Sequence, residues 1–169
     1  MGYSAMMAAV LCVLSPIAIP MGTVPITLSV FALFLVASLS PVKVAITACA
    51  VYLAVGAVGL PVFSSFTGGV YAFVSPSGGF LWGYLPAVLI VSLFFVKPYG
   101  KLISMLGGLL VLYAFGLLGF CLLTDATVWE GVVSVVLLFL LPDLLKISAV
   151  LLFYSILAPR LSKTLLQNG

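Results

Sequence analysis

Charge is what this sequence lacks most: Asp, Glu, Lys and Arg make up 5% of its 169 residues, against about 25% in an ordinary soluble domain. A chain so poor in charge cannot cover itself with a water-facing surface. Histidine is absent altogether, which excludes His-ligated metal centres and His general bases. The three cysteines, Cys12, Cys49 and Cys121, are odd in number, lie in apolar segments and lack CxxC spacing, so no disulfide framework is expected. No GxxxxGK[ST] phosphate loop occurs; Gly100-Lys101-Leu102 does not qualify, and the chain cannot hydrolyse ATP by that route. Nor is there an HExxH motif, a Ser with a His base or a pair of intramembrane aspartates in separate spans. The usual membrane-protease constellations are thereby removed.

What fills the sequence instead is hydrocarbon. Hydrophobic residues are 65% of the chain and the mean hydropathy is +1.46, values that define an integral membrane protein. The length accommodates roughly six spans of about 20 residues in one all-α domain, 1–169, and leaves almost nothing for an aqueous domain. The net charge of +3 is too small and too dispersed for nucleic-acid binding. The N-terminal apolar stretch lacks a basic leader and a small-x-small cleavage site, so it is read as a retained first span.

Helix breakers divide the chain. Spans are expected at about Ser4–Leu14, Ile26–Leu39, Val44–Val58, Gly78–Val96, Tyr99–Leu123 and Val128–Leu157, with Pro142 kinking or restarting the last. Pro16, Pro20, Gly22 and Pro25 keep the first connection out of regular helix. The third connection, Gly59 to Ser77, exceeds the about 12–15 residues beyond which loops are usually functional or disordered, and its Phe63, Phe66, Tyr71 and Phe73 argue against disorder. Lys43, Lys97, Lys101, Arg160 and Lys163 all fall on one side of this map. The positive-inside rule makes that side, and both termini, cytoplasmic. Asp125, Glu130 and the two irregular connections then face outward, in an arrangement suited to capturing a solute.

Asp143 and Lys146 stand inside the last apolar run. Each would cost about 2.5–3.5 kcal/mol at the bilayer centre, so something must compensate. At i,i+3 they share a helix face and can neutralise each other while turning toward a ligand or cavity; an intramembrane charge is by default a functional site, and the bland alternative is an ion pair holding two helices together. Gly78 and Gly79, after Ser75-Pro76-Ser77, are either a tight turn or a place where a ligand approaches helix-terminal N–H groups. Tyr52, Trp82 and Tyr84 are packing or interfacial residues, or pocket walls. Ala5 and Ala9 form a small-xxx-small face that permits close helix approach. Gly56, Gly107, Gly108 and Gly116 are read as internal helix contacts.

The combination of Gly59-Leu60-Pro61-Val62-Phe63, Gly68-Gly69, Ser75-Pro76-Ser77-Gly78-Gly79-Phe80-Leu81-Trp82-Gly83-Tyr84 and Asp143-Leu144-Leu145-Lys146, with the Pro20–Leu28 segment, resembles the BioY family. These are biotin-binding S components of energy-coupling-factor (ECF) transporters. Ser77 stands where that family usually has Thr, Phe80 where it has Tyr and Tyr84 where Phe is common. The resemblance implies a six-helix S-component fold and biotin uptake, without enzymatic activity or a cofactor. Biotin would be captured under the first and third connections and delivered to the cytoplasm. The implied substrate-binding residues are Asp143, Lys146, Ser77, Gly78, Gly79, Phe66, Thr67 and Tyr84. Ala5 and Ala9 match the AxxxA pattern by which S components dock on the transmembrane coupling protein. That protein and two ATPase subunits would be separate chains in a bacterial plasma membrane. Rival readings are an S component for another small vitamin, an ion or proton pathway through Asp143 and Lys146, and a small intramembrane enzyme; the last two need further polar groups that the spans do not supply.

Overall fold

Six apolar rods form the fold. A computed structural model describes residues 2–20, 24–95 and 100–167, with side chains as far as Ala158. Val96, Lys97, Tyr99, the 21–23 part of the first connection and the side chains of Arg160 and Lys163 lie outside the described residues. The elements are α1 (Gly2–Leu14), strands β1 (Ala18–Ile19) and β2 (Ile26–Thr27), α2 (Ser29–Leu39), α3 (Val42–Ala57), two 3-10 turns (Ser64–Phe66 and Val70–Val74), α4 (Gly78–Phe94), α5 (Gly100–Thr124), α6 (Val128–Gly131), a π-helical stretch (Val132–Leu137) and α7 (Leu138–Gln167). The last three run on without interruption as the sixth span.

Helix lengths explain the irregular connections. At about 1.5 Å per residue, the 25-residue α5 exceeds the about 30 Å hydrocarbon core, whereas α1 with 13 residues and α2 with 11 fall well short. Non-helical backbone beside such short helices is tolerated at membrane depth only if its polar groups are satisfied internally. Several of them are. The short strands pair antiparallel, Ala18 with Thr27 and Ile19 with Ile26, a ribbon that an all-helical reading does not include. Leu28 N–H donates to Ile17 O and Ser65 N–H to Pro16 O, both at 3.0 Å; Phe63 N–H reaches Thr67 O at 2.9 Å and Gly69 N–H reaches Gly56 O at 2.7 Å. The two connections are thus stitched to each other as well as to the helices. Gly59 and Gly69, at φ of 112° and 93°, supply the left-handed backbone that the long loop needs at its turns.

Packing follows from which faces carry small residues. α4 makes its broadest contact with α5, α1 with α3, and α2 with α7. Gly79 of α4 and Gly119 of α5 meet backbone to backbone: a Cβ on Gly79 would collide with the Phe115 carbonyl, and one on Gly119 with the Gly79 main chain. Gly83, one turn on, lies over Phe115 and Leu112. This is the small-xxx-small seam by which membrane helices approach closely. Gly108 and Gly116 receive Val91 and Phe80 in the same interface, and Gly56 sits under the Phe63 ring. Apart from the half-buried Phe31, α2 is buried from Ser29 through Ala37, as a helix apolar on every side should be. Its Leu33 and Phe34 form the core with Leu11, Cys49, Val91, Leu112 and Ile147. Leu102, Ile103, Leu106, Leu110, Leu118 and Leu122 of α5 and Leu141, Leu145 and Leu152 of α7 face outward. That much exposed aliphatic surface would drive aggregation in water and is matched by a lipid surround.

Pro142 does not interrupt the sixth span. It offers no N–H to the Leu138 carbonyl, yet helix continues through it. The irregularity lies one turn earlier, in the π stretch, where Leu138 N–H reaches back to Val133 O. A π segment inserts an extra residue and re-aims everything beyond it.

Candidate functional site

Four separate parts of the chain line one cleft at one end of the bundle. The first connection and the start of α2 provide Val24, Pro25, Thr27 and Val30; the long loop provides Phe63, Ser64, Thr67 and Ala72; α4 provides Phe80, Leu81 and Tyr84, with Ser77 just before it; α7 provides Phe139, Asp143 and Lys146. The empty space between these parts, open mouth and solvent included, is about 560 Å³.

Aromatic rings build the walls. Tyr52 and Tyr84 stack with centroids 6.3 Å apart, Tyr52 meets Phe63 edge-on at 5.5 Å, and Phe63 meets Phe73 at 5.7 Å. Phe80 leans on Phe139 at 6.1 Å. Such pairs prefer these offset and edge-to-face geometries; Phe63, Phe80, Tyr84 and Phe139 line the cleft, and Tyr52 and Phe73 pack behind them.

The polar centre stands on α7. Lys146 Nζ lies 2.7 Å from Asp143 Oδ1, the one ion pair among the described residues. Asp143 is 1% exposed and the Lys146 side chain 10%. The i,i+3 spacing puts both on one face of the helix, and that face opens on the cleft. The second carboxylate oxygen, Oδ2, accepts a hydrogen bond of 2.9 Å from the phenol of Tyr113 on α5. A carboxylate has about four lone-pair sites and an ammonium three donors, so both charged groups keep capacity for a ligand. Charge-assisted bonds of this length are the strong ones.

Of the residues singled out from the sequence, Asp143, Lys146, Ser77, Thr67 and Tyr84 line the cleft. Three do not. Phe66 is 68% exposed and sits at φ 58° on the outer side of its 3-10 turn. Gly78 is packed beneath the Phe73 carbonyl, and its N–H donates to Ser75 O at 2.7 Å. Gly79 is occupied by the α5 seam. Both glycines are therefore where packing needs them. Ser77 Oγ lies 3.1 Å from Ser75 Oγ. Ala5 and Ala9 are exposed on α1, opposite the buried Met7, Ala8 and Leu11. Sequence reading passes over Tyr113, a tyrosine in an apolar helix with no neighbouring motif; the one available signal is that a buried carboxylate needs donors beyond a single lysine. It also passes over Phe80 and Phe139 as walls.

A six-helix membrane protein with a cleft under two stitched connections, and a buried ion pair in its wall, has the S-component fold. A crystal structure of the S-component for biotin from an ECF-type ABC transporter superposes with a TM-score of 0.83 over 96% of this chain and 89% of that one, at 24% sequence identity. The chain belongs to the BioY family, whose model matches residues 1–163. It is 41% identical over 103 residues to the biotin transporter BioY of Thermotoga maritima, covering 59% of this chain and 61% of that protein. It is 41% identical over 85 residues to the biotin transporter BioY2 of Lactococcus lactis, covering 50% and 47%. The "Probable biotin transporter BioY" of Pyrococcus horikoshii matches at 30% over 142 residues, 84% of this chain and 85% of that protein. The matches to the first two thus span about three fifths and about half of those relatives' lengths.

Proposed function

We propose that this protein is a biotin-uptake component: a membrane-embedded S component that captures biotin in the cleft and delivers it to the cytoplasm. It is a binding and transport protein, not an enzyme. The observation that carries the reading is the Asp143–Lys146 pair, placed in the wall of an aromatic cleft in a chain of this family. Biotin presents a ureido ring with two N–H donors and a carbonyl, an apolar bicycle and chain, and a carboxylate. A juxtaposed acceptor and donor suit its polar groups, and the Phe63, Phe80, Tyr84 and Phe139 walls suit the bicycle. Asp143, Lys146, Ser77, Thr67 and Tyr84 are the contact residues of this reading, with Phe66 at the rim and Gly78 and Gly79 shaping the turn beneath.

The rest of the machine is proposed from the same family membership. The exposed Ala5–Ala9 face of α1 docks a transmembrane coupling protein, and two ATPase chains supply the energy. The cleft opens to the outside, and both termini are cytoplasmic. Isothermal titration of the purified, detergent-solubilised protein against biotin and a panel of other water-soluble vitamins tests the substrate. Saturable one-site binding of biotin alone is expected. Binding of a different vitamin with no response to biotin would reassign the substrate, and no heat with any of them would remove the capture role.

A further inference from the structure

Asp143 would be poorly aimed if Lys146 alone held it. The terminal carboxylate torsion of aspartate is broad and roughly two-fold, so one contact at Oδ1 leaves the group free to swivel. Tyr113 removes that freedom. Its ring is buried in α5, its O–H reaches Asp143 Oδ2 at 2.9 Å, and it comes from a different helix from the one that carries Asp143 and Lys146. The carboxylate is thus pinned at both oxygens, by Lys146 along its own helix and by Tyr113 across the bundle. Tyr113 does not itself line the cleft. A phenol can give one proton here, and it spends that proton on the side of the carboxylate away from Lys146.

We infer that Tyr113 is a positioning residue for ligand recognition: its O–H fixes the rotamer of Asp143, and through it the Asp143–Lys146 pair, in the orientation that meets the ligand. This rests on the reading of the cleft as the biotin site. Tyr84 shares the cleft wall with Asp143 and would be reached by the ligand directly. Tyr113 acts only through the carboxylate. A purely structural tie between α5 and α7 would matter to the unliganded protein and to nothing else.

Tyr113→Phe removes one oxygen and keeps the ring, so the packing is preserved. Three measurements on the purified full chain decide the matter. First, the infrared difference spectrum of Asp143 without ligand, obtained against Asp143→Asn, is expected to show a shifted carboxylate stretch in Tyr113→Phe; an unshifted band overturns the hydrogen bond. Second, biotin affinity by titration is expected to fall about tenfold, in proportion to the loss of a hydrogen bond to a charged group. An affinity within twofold of the parent overturns the positioning role. Third, in an Asp143→Asn/Lys146→Met background the same Tyr113→Phe change is expected to alter affinity by less than about twofold, because the charges it would aim are gone. An equal loss in both backgrounds overturns action through Asp143. If the parent itself fails to bind biotin, the substrate reading fails, while the infrared comparison still decides whether Tyr113 holds Asp143.

Discussion

Two of the site's residues announce themselves by their own chemistry, the family resemblance adds Thr67, Ser77 and Tyr84, and the others stay hidden in the sequence for physical reasons. Asp143 and Lys146 stand out because a charge in a greasy run has a cost that must be met somewhere. Tyr113 and Phe139 are ordinary members of apolar helices, and only the crossing of α5 with α7 gives them a role. Gly79 is visible as a small residue next to a turn, but whether smallness serves a ligand or a neighbouring helix depends on where Gly119 lies. The role of the Asp143–Lys146 pair itself is separable from mere helix holding. Removing one partner leaves the other buried and unpaired, typically costing about 3–5 kcal/mol, so single variants confound stability with recognition. Asp143→Asn with Lys146→Met removes both charges together. If the pair contacts biotin, titration of the folded double variant should show affinity lower by about 1–3 kcal/mol, a factor of roughly 5–150. A folded double variant that binds like the parent would sink the assignment.

At the scale of elements, the breakers in the sequence located the first five spans and the start of the sixth to within a few residues, because Pro and Gly act locally and their effect is visible without tertiary context; the sixth helix runs past the expected Leu157 to Gln167. The sixth span is the instructive exception. Pro142 marks trouble in the helix, but the irregularity lies upstream in the Val132–Leu137 π stretch, near the buried Val135 and Phe139. The β1–β2 ribbon was equally out of reach, since two-residue strands carry no period. α1 bears a prediction of its own. One side of it, Met7, Ala8 and Leu11, is core, and the Ala5–Ala9 side is exposed. If that face docks the coupling protein, Ala9→Trp should block close helix approach without disturbing the cleft. Uptake of labelled biotin in cells carrying the whole transporter should drop sharply, while titration of the isolated variant stays at parent affinity. Unchanged uptake removes α1 from the interface.

For the whole molecule, the question is which end of the bundle faces out. Composition established the membrane setting because no soluble surface can be assembled from so few charges, and the loop chemistry marked the two connections that the structure brings together over the cleft. Orientation rests on a different argument, the bias of Lys and Arg to the cytoplasmic side. Lys43, in the first turn of α3, and Lys101, at the start of α5, lie at helix ends of one parity; the long loop after α3 lies at the other. If α3 crosses the membrane, Lys43 and that loop lie on opposite faces. Tyr71, 78% exposed in the loop, is a better reporter than Ser65, whose φ of 55° makes any replacement risky. With Cys12, Cys49 and Cys121 changed to Ala, Tyr71→Cys should react with a membrane-impermeant maleimide in intact cells. Lys43→Cys, on an exposed helix end, should react only after permeabilisation. The reverse pattern inverts the molecule and places the cleft on the cytoplasmic side, where it could not capture a solute from outside. Labelling of both in intact cells would mean that the α3 crossing is not a crossing at all.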